Sequence, residues 1–433
     1  MTARWQWLTA RFFRLMWVRA TLYSLAGVLT ALLALLIKPY VPDNVALSIG
    51  AEAVDKILAI IASSMLAVTT FSLSTMLSAY NSASSGATPR ATQLLIQDPA
   101  TQNMLATFIG SFLFSVVSII ALSTGVYGES GRVVLFIVTL LVIALIVITL
   151  LRWIDYLTRF GRLGETTDRV EQATTAALKV RRTQPYLGGQ PLTKEMPIPA
   201  SAVKLKSPIT GYVQHIDMQA LGRLCSEAHQ RIYLLSTPGT FIDTSTTLAC
   251  CEGIDEERLP ELLAAFALGY QRTFEQDPRF GLQVLTEIAS RGLSSAINDL
   301  GTPIEIIGRG VRLFSRYAAY QPDTPTPIPG CERVFAQPLA VADLFDDFFR
   351  PIARDGASLV EVHIRLQKAL ASLAQIDPPL YAEQAQRHSE LAMAYAEQSN
   401  LVEQEKVLLR ELANQVRVLT LGDSQNDFFA TAR

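Results

Sequence analysis

Residues 133–151 read VVLFIVTLLVIALIVITLL, an uncharged run held between Arg132 and Arg152. At 1.5 Å per residue, a helix of that length matches a hydrocarbon core of about 30 Å. The run predicts a membrane span. Three more stretches of suitable length and apolarity, 17–40, 57–80 and 104–126, precede it. Together they predict a four-helix transmembrane domain over residues 1–155. The first run is followed by Lys38-Pro39-Tyr40 rather than a small-x-small cleavage site, so it reads as a span and not as a signal peptide.

The chain is 50% hydrophobic, and almost all of that excess lies before residue 155. The rest of the chain has ordinary globular composition. A net charge of −2 argues against a nucleic-acid partner, whose phosphates call for a basic face. Arg4, Arg11 and Arg14 precede the first span and Arg19 stands in its first turn, and Arg152, Arg159, Arg162 and Arg169 come after the fourth. Short loops rich in arginine stay on the cytoplasmic side, so both termini are expected there, as four crossings require.

The span at 57–80 differs from its neighbours. Ser63, Ala67, Thr70, Ser74, Ser78, Asn81 and Ser85 recur at helical spacing, opposite Ile57, Ile61, Leu66, Leu73 and Leu77. Small and hydroxyl-bearing residues let helices pack closely, and they equally suit the wall of a wet path around an oligomer axis. No ionisable residue sits deep in any span, which disfavours a proton relay. Gly86, Pro89 and Arg90 end the stripe; they suit a gate or a plain helix terminus with an arginine at lipid phosphates.

Residues 156–200 read as a charged juxtamembrane helix and a Pro/Gly-rich linker. From 201 to 253, short β-type runs with a turn at Pro238-Gly239 predict a small barrel-like module, similar to biotinyl/lipoyl-type barrels. No lysine stands at a hairpin tip, so a swinging-arm carrier is not expected. Residues 254–421 read as a helical cytoplasmic domain, with one apolar stripe at Leu359, Val362, Leu366, Leu370 and Leu373. A second runs through Leu401, Val407, Leu408, Leu412 and Val416. Residues 422–433 read as a loose tail. The predicted class is thus a membrane α-helical domain plus a cytoplasmic α+β domain.

Two polar segments stand between the apolar helices. Asp277 before Pro278 reads as a helix start, and Thr302 with Glu305 matches a capping box. Arg272, Asp277, Asn298 and Asp299 form a candidate effector site, although each residue also suits a cap or a turn. His215, His229, His363 and His388 lie at no metal-ligand spacing, and no nucleophile motif is present, so no metal, cofactor or catalytic residue is expected. Cys225, Cys250, Cys251 and Cys331 lack CxxC spacing and read as reduced core thiols.

The chain resembles the bacterial predicted membrane proteins grouped as domain of unknown function 2254. Three segments carry the resemblance: Asn81 to Arg90 leading into Leu94-Leu95-Ile96; Ser207 to Val213; and Arg272-Thr273 with Gln276-Asp277-Pro278-x-Phe280-Gly281, then Ala289 and Leu293-Ser294 to Asn298-Asp299. Where that family often has proline, this chain has Ser295 and Leu300. The resemblance implies a multi-pass inner-membrane protein with a cytosolic domain and brings no activity or substrate. The residues themselves favour an oligomeric channel or pore-like protein, whose partners are the lipid bilayer, further copies of the chain, and an ion or small effector. The competing expectation is a non-conducting membrane sensor or scaffold whose cytosolic domain binds an effector or partner protein.

Overall fold

The computed structural model describes residues 18, 20–26, 28–29, 51–124, 128–193, 195–225, 227–320 and 328–421. The chain divides into two compact units, Trp7–Thr166 and, with a short N-terminal piece, Thr167–Arg433.

In the first unit, α1 (Ala51–Gly86), α2 (Thr92–Ile96), α3 (Pro99–Ser123) and α4 (Gly128–Leu157) succeed one another. Among the described residues, Ala53–Gly86, Thr92–Ser123 and Arg132–Leu157 are long and apolar enough to cross a membrane. The expected first span at 17–40 lies mostly outside the described residues; those described within it are helical. Three candidate spans therefore stand where four were expected. Ile61, Met65 and Met76 of α1 pack with Leu105 and Phe108 of α3 and Ile146 and Trp153 of α4. Phe71, Leu77, Leu141 and Leu151 point outward, as a lipid-facing surface requires. Asp98 caps α3 by accepting from the Thr101 amide at 3.0 Å, and Pro99 takes the first helical position. The Tyr156 hydroxyl donates to the same carboxylate at 2.6 Å, which ties the start of α3 to the end of α4.

The second unit opens with α5 (Leu163–Thr183), inside whose first turn the division falls. Its strands are β1 (Gln190–Pro191), β2 (Val203–Lys206), β3 (Gly211–Ile216), β4 (Arg231–Leu234), β5 (Phe241–Ile242), β6 (Thr247–Glu252), β7 (Phe266–Gly269) and β8 (Val334–Ala336). Helix α6 (Met218–Leu224) separates β3 from β4, and α7 (Leu259–Leu263) precedes β7. Five strands form one sheet in the order β1-β8-β4-β6-β2, and three form another in the order β5-β3-β7.

The barrel expected over 201–253 is not present: both sheets are open, with β1 and β2 at the edges of one and β5 and β7 at those of the other. Closure needs every strand to have two neighbours at a consistent stagger, and these four edge strands have one each. Instead, β1, β7 and β8 come from outside 201–253, and β8 joins β4 in parallel. Strand β6 is buried on both faces, which accounts for its run of Leu248, Ala249, Cys250 and Cys251. One face joins Ile232, Leu234, Leu248 and Val334, and the other joins Tyr233 and Leu192. All four cysteines are buried free thiols; burial pushes Cys225 and Cys331 up to about 11 and Cys251 to about 12.

The remaining helices are α8 (Pro278–Gly292), α9 (Gly301–Ala319), α10 (Val341–Asp355), α11 (Val360–Ile376), α12 (Pro378–Glu397) and α13 (Glu403–Leu421). Their core is aromatic: Phe314, Phe345, Phe348, Phe349 and Tyr381 are fully buried, and the Tyr381 hydroxyl donates to the Phe314 carbonyl at 2.8 Å. Val362, Leu366, Leu370 and Leu373 of α11 are buried as their spacing predicts. On α13 the register differs: Leu409 and Val416 are buried, whereas Val407 and Leu408 are exposed. A run of adjacent apolar residues at 407–409 left the buried one undetermined, and packing selects Leu409, seven residues before Val416. The expected capping box is also replaced, because Asp299 accepts from the Gly301 and Thr302 amides and from the Thr302 hydroxyl, while Glu305 pairs with Arg309.

Helix α5 is fixed to α9 by ions. Arg309, almost fully buried, meets Asp168, Glu171 and Glu305, and Arg312 meets Glu171 at 2.9 Å. Burial alone would raise the Glu171 carboxyl, but Arg312 and Arg309 hold it below its ordinary value.

Candidate functional site

The segment 272–283 positions the site. Asp277 caps α8, accepting from the Phe280 amide at 3.2 Å, with Pro278 behind it. Arg272 closes on that carboxylate with two bonds, Nε to Oδ2 at 2.7 Å and Nη2 to Oδ1 at 2.9 Å. Its third arm reaches the Gln283 side chain, and its guanidinium lies over the Phe280 ring at 5.2 Å. Gln276 accepts from the Ile216 amide at 3.0 Å, so this loop is stitched to β3. Asp277 is 2% exposed; burial pushes its carboxyl up against the pull of Arg272.

The turn between β4 and β5 presses onto the same carboxylate. Gly239 takes φ +92°, and a Cβ there would lie 2.3 Å from Asp277 Oδ2. Only glycine meets both demands. On the other side, Arg279 binds α10 through Asp347 at 2.5 Å and Asp343 at 2.6 Å.

These elements enclose a polar cleft of about 370 Å³, walled by the 237–240 turn, the 272–283 segment, residues 337–340 and Arg181 of α5. Arg181 is 4% exposed, and its Nη1 is buried without a hydrogen-bond partner among the described residues. Burial draws its pKa down to about 10, against Tyr317 and Asp277, so it stays charged at neutral pH. A second gap opens on the wall: Ala340 precedes α10 with no side-chain cap, so the first turn's amides have no capping partner there.

Of the expected effector residues, Arg272 and Asp277 are joined in this cleft. Asn298 and Asp299 stand apart from it, beyond the far end of the fifteen-residue α8, a rise of about 20 Å. Asn298 is exposed with φ +50°, and Asp299 caps α9; the Thr302 hydroxyl holds its carboxyl below the usual range. Sequence reasoning missed Arg181 and Arg279. A signal existed for Arg181: Thr167, Val170, Glu171, Thr174, Ala177, Leu178 and Arg181 are all buried at three- and four-residue spacing, so Arg181 continues the inward face of α5. Among the described residues no group of His, Cys, Asp or Glu is arranged to hold a metal ion.

On α1, Ser63, Thr70, Ser74, Ser78, Asn81 and Ser85 lie outside the buried core, as do Gly86, Pro89 and Arg90 at its end. Ser63, Thr70 and Ser85 return their hydroxyls to carbonyls of their own helix. The hydroxyl residues buried within the unit belong chiefly to α3: Thr107, Ser111, Ser115 and Ser118. The α1 stripe therefore contributes little to the packing of its own unit.

Comparison with known proteins brings no activity. Uncharacterized proteins of Mycobacterium bovis and Mycobacterium tuberculosis are each 32% identical over 116 residues, 25% of this chain and 22% of theirs. The match thus spans about a fifth of the length of those curated relatives. No solved structure matches the chain. The model of one family, described as predicted membrane protein (DUF2254), matches residues 14–372, and the chain belongs to that family.

Proposed function

We propose that this chain is a multi-pass inner-membrane sensor whose Thr167–Arg433 unit binds a small effector on the cytoplasmic side. The observation that carries the reading is a buried arginine whose Nη1 has no hydrogen-bond partner among the described residues, in the wall of a polar cleft. Proteins pair buried charges, and an unpaired one that is retained is best explained by a ligand that completes it. The cleft has the volume of a small-molecule site. The arginine excess before the first span and after the fourth supports the cytoplasmic assignment of both ends.

Hydrogen exchange on the full chain in nanodiscs tests this. Fractionated small-molecule extract should slow exchange in the 237–240 turn; unchanged exchange with every fraction would remove the proposal.

A second reading, an oligomeric pore-like assembly, is favoured by the α1 stripe lying outside the buried core along its whole length. In this reading further copies of the chain cover that face or share water with it. Cysteine substitution along residues 63–85 should give reactivity to an impermeant thiol reagent that repeats every three to four residues. Ser74→Leu should alter the current in planar bilayers. Uniform reactivity together with silent bilayers would leave the stripe as lipid-facing surface.

A further inference from the structure

Resting on the sensor reading, we infer that the effector carries an oxyanion, a phosphate or carboxylate group, and that Arg181 is the residue that binds it.

The cleft holds three guanidinium groups, and two are already committed. Arg272 gives its fork to Asp277, and Arg279 divides its own between Asp347 and Asp343. Arg272 with Asp277 is neutral, and Arg279 with its two carboxylates carries one net negative charge, which Arg181 balances. Arg181 is the exception: it is more than nine-tenths buried, and its Nη1 has no hydrogen-bond partner among the described residues. A buried guanidinium cannot shed its proton at neutral pH, so the open Nη1 donor calls for an oxygen acceptor from outside.

An independent feature agrees in sign. The wall from Gln337 to Ala340 runs into the N-terminus of α10, a fifteen-residue helix whose N-cap residue, Ala340, offers no side-chain acceptor. The first-turn amides and the helix dipole favour negative charge there. The one carboxylate in that turn, Asp343, is met by Arg279 at 2.6 Å. A planar fork and a row of amides are the two protein devices that recognise carboxylate and phosphate oxygens. A neutral ligand would leave both unanswered.

Two of the cleft's other side chains serve fixed tasks. Gln276 is spent on β3, and the Thr240 hydroxyl accepts from the Thr237 amide at 3.2 Å. Of the three guanidinium groups, Arg181 is the one with a buried donor left open, so the distinguishing contact rests on it.

The test uses the full chain in detergent, with inorganic phosphate, succinate and, as an ionic-strength control, sodium chloride. One of the two oxyanions should raise Tm by about 5 °C near a hundredfold excess over its Kd, with no such rise in chloride. Which of them acts identifies the group. Arg181→Met should abolish the rise and, in anion-free buffer, melt above the wild type, because a buried donor without an acceptor has been removed. A structural arginine would do the reverse, lowering Tm and leaving the anion effect in place; that result overturns the inference. Should Arg181→Met fail to fold, Arg181→Lys serves: it keeps the charge, loses the fork, and should weaken anion binding at least tenfold, whereas unchanged binding overturns the assignment. If neither anion acts while an uncharged extract component protects the 237–240 turn, the oxyanion falls and the sensor stands. If nothing protects that turn, both fall.

Discussion

Gly239 and Gly330 make a matched pair for measuring what the cleft contributes to the fold. Their φ values are +92° and +87°, so alanine suffers nearly the same backbone penalty at both, about 1–2 kcal/mol. Their surroundings differ. Around Gly330 a new Cβ meets nothing within 4 Å, whereas at Gly239 it lies 2.3 to 2.7 Å from the three carboxyl atoms of Asp277. That carboxylate cannot retreat without releasing Arg272 and the Phe280 amide, and disrupting a buried pair costs about 3–5 kcal/mol. Gly330→Ala should therefore destabilise by about 1–2 kcal/mol, and Gly239→Ala by about 3 kcal/mol more. Denaturant titration of the full chain in detergent, followed by pulse proteolysis, reads both. If the two variants agree within about 1 kcal/mol, the turn does not bear on the Asp277–Arg272 pair and the cleft geometry is wrong.

The packing leads to three further expected outcomes. Burial holds His363 and His388 down at about 4, against 6.5 when unfolded, even with Asp346 at 3.3 Å from His388. The unfolded chain then binds the extra protons, so stability is full above pH 6.5 and falls toward pH 4, by about 2 kcal/mol per histidine at pH 5; a Tm series from pH 7.5 to 5 checks the slope, and His388→Gln should halve it. Gly281→Ala places a Cβ 2.0 Å from the Thr174 hydroxyl and should cost about 1–3 kcal/mol, recovered in part by Thr174→Ala, as a double-mutant cycle by thermal melt would show. Glu171→Gln strips Arg309 and Arg312 of their shared carboxylate and should destabilise by about 3 kcal/mol at pH 7, an effect that fades as pH falls through the carboxylate range in which wild-type Glu171 loses its own contribution.

The sequence made some features plain and hid others for a physical reason. Local patterns carried over: the apolar run at 133–151, the Asp277-Pro278 cap and the buried face of α11 need only neighbours three or four residues away. Arg272 and Asp277 meet across a separation of only five positions. The site's remaining half depends on contacts between residues far apart in the chain: Arg181 reaches the cleft from α5 and Asp343 from α10, where Asp347 also holds Arg279. Arg181 resembles juxtamembrane charge because it stands beside Arg182, and only the inward face of its helix sets it apart. The barrel failed likewise, since β8 lies about a hundred residues beyond the strand it pairs with.

That pairing has a consequence for biosynthesis. Strand β4 leaves the ribosome with β6 soon behind it, but its other edge waits for β8, about 100 residues later. At translation speeds of about 5–20 residues per second, an apolar strand edge stands open for at least several seconds. Nascent copies tethered side by side at the membrane are then at their most prone to pair with one another, so slowing elongation after residue 252 should increase aggregation more than slowing it after residue 340.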